Sequence, residues 1–141
     1  MLDATKKFTD LLVAKEIKYD YKGTTESGKD IVIVRFSGEK MTSIVTQIFF
    51  DTDNQSAAFR IFDVVKVPGE KAAAMINTVN AVNCKYRFAK FCYETDDNTI
   101  QLEADAIFRA NDVAPICHEL MMRCIDICDE AYPEFMKGVW A

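Results

Sequence analysis

Hydrophobic and polar positions change their spacing several times along the chain, and each change marks an element. From Asp3 to Lys15 the spacing is helical: Phe8, Leu11 and Leu12 share one face at i, i+3 and i+4, with Asp3 placed to cap the amino end. The period then becomes two. Ile17, Tyr19 and Tyr21 alternate with Lys18, Asp20 and Lys22, which predicts a half-buried strand. Three further strands are predicted at 30–36, 43–50 and 57–67, separated by turn-rich stretches at 23–29, 37–40 and 51–54. Connections this short favour an antiparallel meander whose well-defined parts are 17–21, 32–36, 44–50 and 59–65.

Pro68 suits the first turn of a second helix over 70–82, with Ala72, Met75, Ile76 and Val79 toward the core. A hairpin follows, strands 85–93 and 99–108 flanking the turn 94–98, with Ile100, Leu102, Ala104 and Ala106 opposing Gln101, Glu103 and Asp105. The last helix starts at Asn111 or Asp112 and accepts Pro115 in its first turn. Its apolar stripe is Val113, Cys117, Leu120, Cys124, Ile127, Cys128, Ala131 and Phe135, and Pro133 is expected to kink or end it. The order α-β-β-β-β-α-β-β-α, with no linker or repeat, predicts one α+β domain over 1–141: a twisted antiparallel sheet with packed helices.

The middle strands carry the informative pattern. Val32, Val34 and Phe36 alternate with Ile31, Ile33 and Arg35; Ile44, Ile48 and Phe50 with Val45 and Phe49; Phe59, Ile61 and Val65 with Phe62 and Val64. A sheet with one wet face reads apolar in and polar out, whereas this one is apolar on both. Two arrangements satisfy the pattern. Either the helices divide between the faces, or one face, carrying Ile31, Ile33, Arg35, Val45, Phe49 and Phe62, is a protein-contact surface.

Composition narrows the function classes. Seventeen Lys and Arg against 22 Asp and Glu give a net charge of −5 with no basic stripe, which argues against nucleic acid. No apolar run reaches the roughly 18 residues of a membrane span, and the amino-terminal lysines precede no signal-peptide core, so a cytoplasmic location is expected. Five scattered cysteines fit free thiols in a reducing compartment.

Several motifs resemble chemistry without completing it. Gly23 to Lys29 matches a phosphate-cradling loop up to its lysine, but Asp30 stands where a Mg²⁺-binding hydroxyl is required, and a strand follows where a helix is needed. It reads as a hairpin turn. Cys117, Cys124 and Cys128 lie in an apolar stripe and His118 points about 100° away from Cys117, so core packing rather than zinc is expected. Cys84 and Cys92 are expected in strand interiors. His118, the only histidine, has no evident base or nucleophile partner; Glu103 and Asp105 read as a solvated sheet surface; Asp51 and Asp53 begin a calcium-like loop that lacks its later ligands. The expectation is no enzyme, no catalytic residue, no metal and no cofactor.

The stretch from Met75 to Asn83, followed by Lys85-Tyr86-Arg87-Phe88 and by Ile100 to Asp105, resembles the centre of the YbjN-like family, also called the bacterial sensory transduction regulator family, and Leu11 to Tyr19 is similar to its first helix. The resemblance implies a fold like that of class I type III secretion chaperones, commonly dimeric, and supplies no catalytic residues. Asn77, Asn80 and Asn83 share a side of their helix, and Asn83 suits a left-handed position at its end. Two functions follow as expectations. One is a homodimeric adaptor or regulator binding a protein partner through its apolar sheet face or the aromatic edge 86–93. The other is a secretion chaperone holding an extended effector segment by strand addition.

Overall fold

The computed structural model describes residues 1–141. Its elements are α1 (Asp3–Ala14), β1 (Asp20–Thr24), β2 (Asp30–Phe36), β3 (Ile44–Phe50), β4 (Ser56–Lys66), a short 3₁₀ turn (Gly69–Lys71), α2 (Ala72–Asn83), β5 (Lys90–Glu94), β6 (Thr99–Ile107) and α3 (Val113–Trp140). The six strands form one open antiparallel sheet in the order β1-β2-β3-β4-β6-β5. The class and element order match those expected.

One core of 32 buried residues lies on one side of the sheet. Val32, Val34, Ile44, Ile48, Phe50, Phe59, Ile61, Ile100 and Leu102 supply its floor, all essentially inaccessible. Phe8 and Leu12 of α1, Met75, Val79 and Val82 of α2, and the α3 stripe cover it. The alternate residues Ile31, Ile33, Val45, Phe49 and Phe62 are neither in that core nor packed against it. The helices therefore do not divide between the faces.

Several boundaries differ from the pattern, each for a local reason. Leu2, not Asp3, is the N-cap of α1, and Asp3 opens the first turn, where its charge suits the helix dipole. The first strand starts at Asp20 rather than Ile17. Glu16 adopts a left-handed φ of 59°, its N–H donates to the Val13 carbonyl, and the Ile17 N–H donates to that of Leu12. This is a Schellman closure, and it packs Ile17 toward the core instead of into the sheet.

In α2, Met75, Val79 and Val82 are buried while Ile76 is 46% exposed and Ala72 half-buried, so the packed face is rotated from the expected one. In α3, Met121 and Ile125 are buried where Leu120 and Ile127 were expected, and both of those are half-buried. Pro133 does not end α3. Phe135 is fully buried with its ring 4.8 Å from that of Phe91, and the Lys71 ammonium donates to the Val139 carbonyl at 2.6 Å. These contacts hold the turns beyond the proline, whose missing N–H costs one bond.

Three polar locks tie distant segments. Asp30 is fully buried at the start of β2 and accepts from the Leu2 N–H at 2.6 Å, the Thr24 hydroxyl at 2.8 Å and the Tyr21 hydroxyl at 2.9 Å. Burial alone would push its carboxyl up, but the donors from Leu2, Thr24 and Tyr21 outweigh it and hold the pKa at about 2. Asp129 of α3 accepts the backbone N–H groups of Glu39, Lys40 and Met41 at 2.9, 2.8 and 2.8 Å, clamping the β2–β3 loop. Gly38 permits that approach, since a Cβ there would lie 2.2 Å from the Asp129 Oδ1. Asn83 is the last residue of α2, not a left-handed residue after it. Its side-chain amide donates to the Phe91 carbonyl at 2.9 Å and accepts the Phe91 N–H at 2.7 Å, pairing with the outer edge of β5 as a strand would.

Candidate protein-contact surface

The face opposite the helices is built by register. Ile31 faces Phe49 across β2 and β3, Phe49 faces Ala58 on β4, and Ala58 faces Asp105 on β6. In the parallel row Ile33 faces Gln47, Gln47 faces Arg60, Arg60 faces Glu103, and Glu103 faces Lys90. Arg35 faces Val45, and Phe62 lies further along β4 at 40% exposure. Five of the six expected contact residues are thus placed on one uncovered face by register. Phe62 lies in the register break between Ile61 and Val65, where Asp63 takes a left-handed φ of 52° and Val64, expected on the face of Phe62, turns into the core instead. Ile31, Ile33, Val45 and Phe49 are half-buried by their sheet neighbours alone, and Arg35 is exposed in an ion pair with Asp20.

The face is graded: mostly apolar over β2 and β3, where Gln47 and Arg35 interrupt it, and charged over β6 and β5. Arg60 stands at the boundary. Its guanidinium donates to the carbonyls of Phe59 at 2.8 Å and Ala104 at 3.1 Å, and pairs with Asp105 at 3.2 Å and Glu103 at 3.6 Å. For Glu103, partial burial pushes the carboxyl up, but bonds from Gln101 and Cys92 and the Arg60 charge hold it below its usual range. Glu103 and Asp105 therefore share one arginine on the sheet surface.

The remaining chemistry candidates are dispersed. Burial pushes the Cys117, Cys124 and Cys128 thiols up to about 12, so at neutral pH they are protonated and poor ligands or nucleophiles. Cys92 lies on β5 and is raised to about 11 by burial and by Glu103. Cys84 is exposed at the end of α2 rather than inside a strand. Burial and the Lys15 charge lower the pKa of His118, and no carboxylate pairs with it. The loop from Gly23 to Lys29 is a hairpin turn closed by Thr25 N–H to Lys29 C=O at 2.7 Å. Asp51 and Asp53 are turn residues accepting from Ser56. No helix is long and apolar enough to cross a membrane.

The aromatic edge also departs from expectation. Residues 85–89 leave the sheet, and β5 begins only at Lys90. Phe91 is buried and Tyr86 and Tyr93 pack partly on the core, but Phe88 is 60% exposed at a left-handed φ of 73°. A bulky residue in that region costs of order 1–3 kcal/mol. The Arg87 and Arg123 guanidinium groups sit 5.2 and 4.9 Å from its ring centre.

Residues 10–136 match the family described as "Putative bacterial sensory transduction regulator", YbjN. The chain belongs to the YbjN family. The match spans every strand, all of α2, most of α3 and the end of α1, so the uncovered face lies within it. No curated protein matches the chain.

Proposed function

We propose that this YbjN-family chain is a non-enzymatic, protein-binding regulator that assembles as a homodimer through the uncovered sheet face. The observation that carries the reading is the row Ile31, Ile33, Val45, Phe49 and Phe62, an apolar surface in an otherwise closed core and outside its packing. Single exposed apolar residues are ordinary; several grouped on one sheet face and interspersed with polar ones such as Gln47 and Arg35 are the make-up of an interface. A two-fold axis sets the same patch of each copy against the other.

The magnitude supports a reversible dimer. Full burial of such a side chain contributes about 1.5–3 kcal/mol, and half of that remains to be gained where sheet neighbours already shield it. The two faces together then contribute on the order of 10 kcal/mol, comparable with the roughly 4–15 kcal/mol cost of association. Gain and cost nearly cancel, so the expected dimer is weak and reversible, short of the roughly 8 kcal/mol net that micromolar affinity requires. The test is Ile33→Asp, which places a charge on the uncovered face between Asp20 of β1 and Gln47 of β3 and outside the core: the dimer should dissociate and the monomer should stay folded. The alternative reading, a secretion-type chaperone in a reducing compartment, demands an extended partner segment; it is favoured only if such a segment, rather than a second copy, occupies the protein.

A further inference from the structure

Strand β6 outruns its neighbour. It continues to Ile107, whereas β5 stops at Lys90 opposite Glu103, so Ala104–Ile107 has β4 on one side and no strand on the other. The Phe108 N–H bonds the Gln55 carbonyl across to the β4 side at 2.9 Å. By the two-residue alternation of an antiparallel ladder, Ala104 and Ala106 point their backbone groups toward β4, and Asp105 and Ile107 point theirs outward. Outside that edge runs a cavity of about 260 Å³, floored by Ile116, Leu120 and Arg123 of α3 and ended by Phe88. Ile107 beside it is 75% exposed.

The two outer strands of the sheet are guarded. Asn83 occupies the outward backbone groups of β5 at Phe91, and β1 carries Lys22 and a bulge between Tyr21 and Gly23. Charges and bulges are the usual protection of an exposed edge. At β6 the opposite holds: the left-handed backbone of Phe88 turns residues 85–89 away and keeps the edge bare.

We propose that this edge receives an extended segment of a partner protein, which adds as a strand in line with β5 and antiparallel to β6. Its residue opposite Ala106 would enter the cavity against Ile116 and Leu120, and must be apolar. An acidic residue belongs at the Phe88 end. There Arg123 has only Glu119, at 3.5 Å and largely exposed, as an ion-pair partner, and Arg87 has none. Asp105 shares Arg60 with Glu103, which leaves Arg87 and Arg123 as the cationic groups beside Phe88 for a partner carboxylate to meet. A second copy suits the edge less, because two-fold pairing about Ala106 would set Asp105 against the apolar Ile107.

The test uses the whole chain and a fluorescent peptide of about seven alternating valines and threonines ending in glutamates, the length such a strand needs. This peptide should bind, a version ending in lysines should bind about tenfold more weakly, and N-methylation of alternate residues should abolish binding. By amide exchange, Asp105 and Ile107 should exchange freely in the unliganded chain and slow about tenfold with peptide, while Ala104 and Ala106 stay protected throughout. Arg123→Glu should reverse the preference between the two peptides. No binding of either peptide at millimolar concentration overturns the proposal, as does binding indifferent to N-methylation. Protection of Asp105 and Ile107 without peptide overturns it too, whether constant, meaning residues 85–89 close the edge, or growing with protein concentration, meaning a second copy does. Peptide binding should persist in Ile33→Asp, so failure of the dimer and failure of the edge are read separately.

Discussion

Replacing Asp30 by asparagine keeps the shape of a fully buried side chain and removes its charge. The carboxylate receives bonds from α1, through the Leu2 N–H, and from β1, through Tyr21 and Thr24. Its pKa is lowered from 3.8 to about 2, and each unit of such a shift is worth about 1.4 kcal/mol, so the ionised form contributes about 2 kcal/mol. The sign follows from linkage. Between the folded and unfolded pKa values the unfolded chain binds the proton that the folded chain refuses, so the contribution is present above about pH 4 and lost as pH falls toward 2. Asp30→Asn should therefore lower the unfolding free energy at pH 7 by about 2 kcal/mol, more if the new amide N–H₂ opposes the Leu2 N–H. Urea unfolding at pH 7 and pH 3 measures it: the variant should lose less between the two than the unmutated chain, because other carboxylates titrate alike in both. Equal stability at pH 7, or equal losses on acidification, would refute the Asp30 lock.

Asp129→Ala should cost about 1–2 kcal/mol, as loss of a capping carboxylate does, and should raise amide exchange at Glu39, Lys40 and Met41; an unchanged exchange pattern there would count against the clamp. Asn83→Asp keeps the acceptor but cannot donate to the Phe91 carbonyl, so it should destabilise by about 1–2 kcal/mol in denaturant titration and rescue little relative to Asn83→Ala. In the native chain a thiol reagent should label Cys84 rapidly and leave Cys117, Cys124 and Cys128 untouched until urea unfolds it, and a chelator should not move the melting temperature.

The period-two strands made both the fold class and the contact face legible, because alternation fixes which residues share a side before any packing is known. Ile31, Ile33, Val45, Phe49 and Phe62 could be grouped from the sequence, but which group the helices would cover could not. What stayed hidden depended on partners far along the chain. The Asp30 bond to Leu2 spans 28 residues and the Asp129 clamp about 90, distances no local pattern encodes. In the sequence Asp30 is legible only as the residue that spoils a phosphate loop; its burial under Leu2, Tyr21 and Thr24 is not. Glu16 and Phe88 defeated the boundaries of β1 and β5 for one reason: both take left-handed backbone without being glycine, so the usual signal for a break was absent. At Phe88 that departure coincides with the bare edge of β6, as expected where local preference yields to function.

The central claim is that the face carrying Ile33 joins two copies of the chain. Sedimentation equilibrium of the unmutated chain and of Ile33→Asp, with melting curves recorded on the same samples, tests it most directly. The account predicts a reversible, concentration-dependent monomer–dimer equilibrium for the former, and a monomer of unchanged melting temperature for the latter. A chain that remains monomeric at millimolar concentration would contradict it, and so would a dimer that survives the aspartate.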